Sequence, residues 1–221
     1  MKKKISIPIV PIVIIITVVA IILTIFLNRK TGNGESKLYK IYEKMISNET
    51  YVFTRYDFEE KNKIIIYRKV DKTLIDMYST GEHISTLVSD GNTYLILHKN
   101  KEYYVYLNNS LDERILTDNL KNIIDLEYTT GKEKIYGKTY KYEEYNGVSD
   151  FLISSPIDID TDSVKTRFYF KGNELVYLKT IYDTINEETG EKTSVQELQT
   201  VKIEYKVDDS VFKIPTDYAE N

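Results

Sequence analysis

The chain has 221 residues, 30 basic and 34 acidic, and a formal net charge of −4. Residues 28–221 hold 27 basic and 34 acidic residues, a net −7. That excess of acid excludes a nucleic-acid binder, which needs a basic stripe. With no cysteine there are no disulfides, no thiol chemistry and no lipid-modified N-terminal cysteine.

The first segment differs from the rest. Lys2, Lys3 and Lys4 precede an uncharged apolar run from Ile5 to Leu27, followed by Asn28, Arg29 and Lys30. Those 23 residues would reach ~34 Å as a helix, enough for a bilayer core of ~30 Å. The run exceeds the ~7–15 residues of a signal-peptide core and no small-residue cleavage site follows it. The expectation is an uncleaved signal-anchor over residues 1–30, contacting the lipid bilayer through residues 5–27. The flanking lysines place the N-terminus inside, so the protein is expected in the cell membrane as a single-pass chain with an extracytoplasmic C-terminal domain.

A polar linker, 31–36, carries Gly32 and Gly34, and the domain is expected over 37–221. Ser36 is a candidate N-cap, and Leu38, Ile41, Tyr42 and Met45 have the spacing of an amphipathic helix. From Tyr51 the pattern becomes strands: 51–60, 63–70, 73–80, 83–89, 93–98 and 103–107. Asp90-Gly91-Asn92 is a strong hairpin signal, because Gly and Asn tolerate positive φ. Thr117 can cap a second helix with Leu120, Ile123 and Ile124 on one face. Residues 132–145 resume the strand pattern around a bend or turn at Gly137. Residues 146–163 are irregular. A hairpin follows at Lys171-Gly172-Asn173, and a last strand ends with Val201, Ile203, Tyr205 and Val207 alternating with polar residues.

Nine or ten strands joined by short turns, with two helices, predict an α+β domain built on a long, curved antiparallel sheet. Of the 20 tyrosines, many fall in strands, where they suit a half-wet sheet; a carbohydrate- or lipid-contacting surface is the alternative reading.

The candidates for chemistry are sparse. His83 and His98 both fall in strands, and neither has a further metal-type neighbour at useful spacing. Glu59-Glu60 and Glu143-Glu144 point to opposite faces of their strands and read as solvated edges. Asp158, Asp160 and Asp162 have the opening spacing of a calcium loop, but Ser163 and Tyr169 stand where Gly and Glu are required. No catalytic residue, metal or cofactor is expected, and an enzyme is not expected.

The chain ends on VDDSVFKIPTDY, with two large apolar residues and a proline where ends usually fray. Taken with DGNTYLILHKNKEYYVYL and FYFKGNELVYLKTIYD, this ending resembles the bacterial lipoprotein-carrier (LolA-like and LolB-like) superfamily. The resemblance implies an incomplete barrel with about two helices on its concave side, and in several relatives an acyl chain between them. It also gives the tail a structural role, in which Val211 and Phe212 dock into the sheet or its helical lid, Asp208 to Ser210 form the turn and Pro215 ends strand pairing. The expected function is a membrane-tethered extracytoplasmic binding module for an acyl chain or other apolar ligand. The alternative is a protein-interaction or sensory domain of the cell envelope with a protein partner and no small-molecule ligand.

Overall fold

A computed structural model describes residues 36–107, 115–146, 164–185 and 190–221. Helix α1 spans Lys37–Asn48 and is followed by β1 (Thr50–Asp57), β2 (Lys63–Lys69), β3 (Lys72–Ser79), β4 (Glu82–Ser89), β5 (Asn92–Leu97) and β6 (Glu102–Tyr106). Then come α2 (Ile115–Ile124), β7 (Tyr128–Ile135), β8 (Lys138–Asn146), β9 (Lys165–Lys171), β10 (Glu174–Ile185) and β11 (Lys192–Glu204). A single 3₁₀ turn, Asp209–Phe212, and a two-residue strand β12, Ala219–Glu220, finish the chain.

Among the described residues twelve strands lie in one open sheet, in the order β12-β6-β5-β4-β3-β2-β1-β11-β10-β9-β8-β7. Every neighbour pair is antiparallel except β12 with β6. Two meanders, β1–β6 and β7–β11, meet where Val52 to Asp57 pair with Glu204 to Gln199.

This corrects the expected fold class. The sheet is open, with β12 and β7 as its edges, and has twelve strands where nine or ten are predicted. Residues 128–146 form two strands because Tyr136 and Gly137 both adopt positive φ, 46° and 81°, making a two-residue hairpin turn. The other addition is β12, which the tail forms after Pro215. Nor do the helices line the whole of one side. Leu38, Ile41 and Met45 of α1 and Leu120, Ile123 and Ile124 of α2 pack on Tyr51, Phe53, Ile66, Tyr128, Tyr145, Phe168, Phe170, Leu178 and Val201, covering β1, β2 and β7–β11. Leu74, Leu87 and Ile96 instead meet Phe212 of the tail. In β2, Ile66 belongs to the helical core and the next residue, Tyr67, to the tail cluster, so the two coverings lie on opposite faces.

The expected transmembrane helix, and with it the single-pass membrane location, is corrected too. Among the described residues no helix is long and apolar enough to cross a membrane. Helices α1 and α2 have 12 and 10 residues, roughly 18 and 15 Å against the ~30 Å needed. The run 5–27 lies outside the described residues, as do Asp158, Asp160 and Asp162.

Candidate functional site

Helix α1 turns Leu38, Ile41 and Met45 into the core, which leaves Lys37, Lys40 and Lys44 together along its flank. That flank faces the ends of β10 and β11. Between them lies a groove of about 580 Å³, floored by Ile41, Leu175, Val201, Ile203 and Tyr205. Lys37, Lys40, Lys44 and Lys202 stand around it against one carboxylate, Glu174. Lys37 Nζ donates to the Gly172 carbonyl, and Lys44 Nζ sits 4.0 Å over the Tyr205 ring. Lys40 is exposed and has no ion-pair partner among the described residues.

The helix wall of the groove is fixed at its N-terminus. Ser36 is the N-cap, its Oγ accepting from the Tyr39 N–H at 3.0 Å. Glu143, buried on β8, accepts from the backbone N–H of Lys37 at 2.7 Å and of Leu38 at 3.1 Å, and from Ser36 Oγ at 2.9 Å. A carboxylate at this end satisfies orphan donors and complements the helix dipole. Burial and the adjoining Glu143 charge push the Tyr145 hydroxyl well above the ordinary phenol range. Glu143 is therefore no solvated edge. Glu144 does point to the other face, where it pairs with Arg167 at 2.5 Å.

The predicted tail residues sit away from the groove. Phe212 is buried against Leu74, Leu87 and Ile96, and Val211 is half-buried in the same cluster with Val207, Ile214 and Tyr218. Asp208 caps the 3₁₀ turn, accepting from the Ser210 N–H at 2.8 Å. Pro215 does not end strand pairing. Its carbonyl accepts from the Tyr218 N–H at 3.2 Å, and the chain then joins the sheet as β12, through Ala219 N–H to the Lys101 carbonyl and Asn221 N–H to that of Tyr103, both 2.9 Å.

Beside this tail lies a polar cluster that the spacing of its residues in the chain conceals. His83 is the second residue of β4, and His98 follows β5, its N–H on the His83 carbonyl at 3.2 Å. Their rings stack, centroids 3.6 Å apart and 2° from parallel, and Tyr78 stacks on the outer side of His83 at 4.0 Å. Asp76 on β3 accepts from Ser85 Oγ, which is also 2.6 Å from His98 Nε2; His98 Nδ1 is 2.9 Å from Tyr218 Oη. Burial and the neighbouring His83 lower the His98 pKa, partly offset by Asp76. With Ser85 donating to Asp76, His98 donates from Nε2 and accepts from Tyr218. Ser85 is 1% exposed and commits its proton to a carboxylate, which is not the arrangement of an activated nucleophile.

A third cluster occupies the helix-free face of the second meander. Glu133 accepts from Lys179, from Arg167 at 2.8 Å and from Tyr169 at 2.6 Å. It ties β7, β9 and β10 together.

No protein-family model matches the chain, and no curated protein matches it. Among solved structures it is similar to an uncharacterized conserved protein from Thermus thermophilus, with a TM-score of 0.45 and 10% identity over 84% of this chain and 99% of that one.

Proposed function

We propose that this protein is a binding module for an amphiphile with one acyl chain and an anionic head. The observation that carries this reading is the groove beside α1: an apolar floor, and a rim of four lysines, of which Lys202 is paired with Glu204 at 2.9 Å, with Glu174 as the lining carboxylate. Its size, about 580 Å³, is within the ~300–1,000 Å³ of ordinary small-molecule sites. The chain would lie on Ile41, Leu175, Val201 and Ile203, and the head would meet Lys40 and Lys44. Lys37 is engaged by the Gly172 carbonyl and Lys44 by the Tyr205 ring, which leaves exposed Lys40 as the strongest candidate for the head. An acyl ligand is also what the LolA-like resemblance implies.

Palmitate titrated into the full chain, followed by native mass spectrometry, is the test. One palmitate per chain is expected, with affinity about tenfold weaker in the double variant Lys40→Glu, Lys44→Glu, where attraction becomes repulsion across a partly screened rim. Ile203→Trp, at a half-buried floor position, should block uptake with little change in thermal midpoint. Absence of saturable uptake, or uptake indifferent to Ile203→Trp, rules the groove out and favours a protein-contact role.

A further inference from the structure

We infer that Asp76, His83 and His98 form a site for a divalent transition-metal ion of the zinc class, with Tyr218 of the C-terminal tail against the outer nitrogen of His98. One ligand atom from each residue lies within 4.8 Å of the others. The sheet register places them. Tyr78 pairs with His83 across β3 and β4, and Asp76 pairs with Ser85 two residues along. Ile84 pairs with Leu97 across β4 and β5, so His83 and His98 are the next opposed positions. Three neighbouring strands thus present two imidazoles and a carboxylate on one face, next to Phe212 and Tyr218.

The chemistry of the set suits the ion. Two imidazoles and one carboxylate are ligands of the kind zinc accepts, and three protein ligands leave one position open. Tetrahedral bonds of about 2.0–2.1 Å put ligand atoms about 3.3 Å apart. His83 Nε2 and Asp76 Oδ1 are already 3.6 Å apart. His83 Nε2 is buried, faces Asp76 from beyond hydrogen-bond distance and has no hydrogen-bond partner among the described residues. Such an atom carries a desolvation cost that a bound cation would remove. His98 has its outer contact in place. When its Nε2 turns from Ser85 to the metal, Nδ1–H donates to Tyr218 Oη, the second contact that fixes a ligating imidazole. Ser85 keeps its bond to Asp76 and orients the carboxylate.

One rearrangement is required. The lone pairs of parallel rings run side by side and do not converge, so loading must tilt one imidazole out of the stack with Tyr78. His83, with 29% of its side chain exposed, is the ring with room for that reorientation. The dication would be balanced by a single carboxylate, leaving a net positive centre with an open position for water or a small anion.

The test is a zinc titration of the full chain, made without a histidine tag and stripped with chelator. The chain has two histidines and no cysteine, so no other imidazole or thiol competes. One zinc per chain is expected, with a raised thermal midpoint. Tyr218→Phe should weaken binding about tenfold, the lower end for loss of an outer-shell partner, and His83→Gln at least about 100-fold. Cobalt(II) on the wild-type chain needs no variant to fold: intense visible absorption saturating at one equivalent supports the site, whereas the pale spectrum of the aqua ion overturns it. Zinc binding equally tight in His83→Gln overturns it as well, by assigning the ion to surface carboxylates. Palmitate uptake at the α1 groove is independent of all these outcomes.

Discussion

The two halves of the sheet are covered by different means. Strands β7–β11, with β1 and β2, lie under α1 and α2, and sixteen buried side chains form one cluster there. The meander β3–β6 is covered on its other face by the last fifteen residues, with four buried side chains: Leu74, Leu87, Ile96 and Phe212. A helix brings a whole apolar stripe to a sheet, whereas an extended tail brings one anchor at a time. The tail compensates with polar links at its margins: Lys69 to Asp209 at 2.6 Å, Lys101 to Asp217 at 2.7 Å and Tyr103 to Glu220 at 3.1 Å. These pairs are exposed and contribute little each. The helical half should therefore open only with global unfolding, and the tail by itself.

The largest test of that contrast is Phe168→Ala. Phe168 is 1% exposed and its ring meets Tyr145 edge-on at 5.7 Å, so truncation should cost about 4 kcal/mol, read as a fall in global stability by urea denaturation. Phe212→Ala should cost about 3 kcal/mol at most, since the residue is 8% exposed in a small cluster. The decisive difference is in hydrogen exchange. With Phe212 truncated, the amides of Ala219 and Asn221 should exchange far faster while those of β9 and β10 keep their order of protection. Uniform acceleration would show that the tail and the helical half unfold together.

Glu143→Gln sharpens the comparison from the helical side. It removes the charge on which two backbone N–H groups of α1 and Ser36 converge, and hydrogen bonds to a charged group are worth ~1.5–3 kcal/mol. About 2 kcal/mol should be lost, with exchange accelerated first at the start of α1. Because α1 is one wall of the groove, palmitate uptake should weaken in parallel. Unchanged stability would mean that Ser36 alone suffices to cap the helix.

Much of this contrast was legible in the chain, and the gaps have physical causes. Turn chemistry located the Asp90-Gly91 and Lys171-Gly172-Asn173 hairpins, and apolar spacing located α1 and its cap. The β7–β8 turn was half visible: Gly137 marks it, but Tyr136 also takes positive φ, which a tyrosine does not advertise. The histidine pair was recoverable in principle. With Ser89 opposite Asn92 at the Asp90-Gly91 turn, regular pairing back along β4 and β5 sets His83 against His98. Proximity in the chain was the wrong measure; register was the right one. Glu143 could not be read, because its partner helix lies more than a hundred residues earlier. Gly131 was equally silent. A Cβ there would collide with the Tyr142 ring, so the glycine admits a side chain from the next strand.

The finest test compares two carboxylates in the helical half. Burial would raise the Glu133 pKa, but hydrogen bonds from Lys179 and Tyr169, the Lys179 charge and Arg167 outweigh it, and the net shift is below the ordinary 4.5. Glu197 goes the other way: burial raises its pKa, Tyr182 opposes, Glu60 and Asp57 add to the rise and Arg55 offsets part of it. The signs in stability follow by linkage. A depressed folded pKa makes Glu133 stabilising above about pH 4.5, with that contribution lost as pH falls through the folded value. A raised one makes the Glu197 charge a cost at neutral pH, absent below about pH 4.5 and growing as pH rises through its folded value. Glu133→Gln should therefore lower the thermal midpoint at about pH 7 and converge on wild type in acid. Glu197→Gln should raise it at about pH 7 and converge on wild type over the same acid range. Parallel shifts of the same sign in the two variants would mean that cross-strand pairing, not burial, sets the cost of charge throughout this half of the sheet.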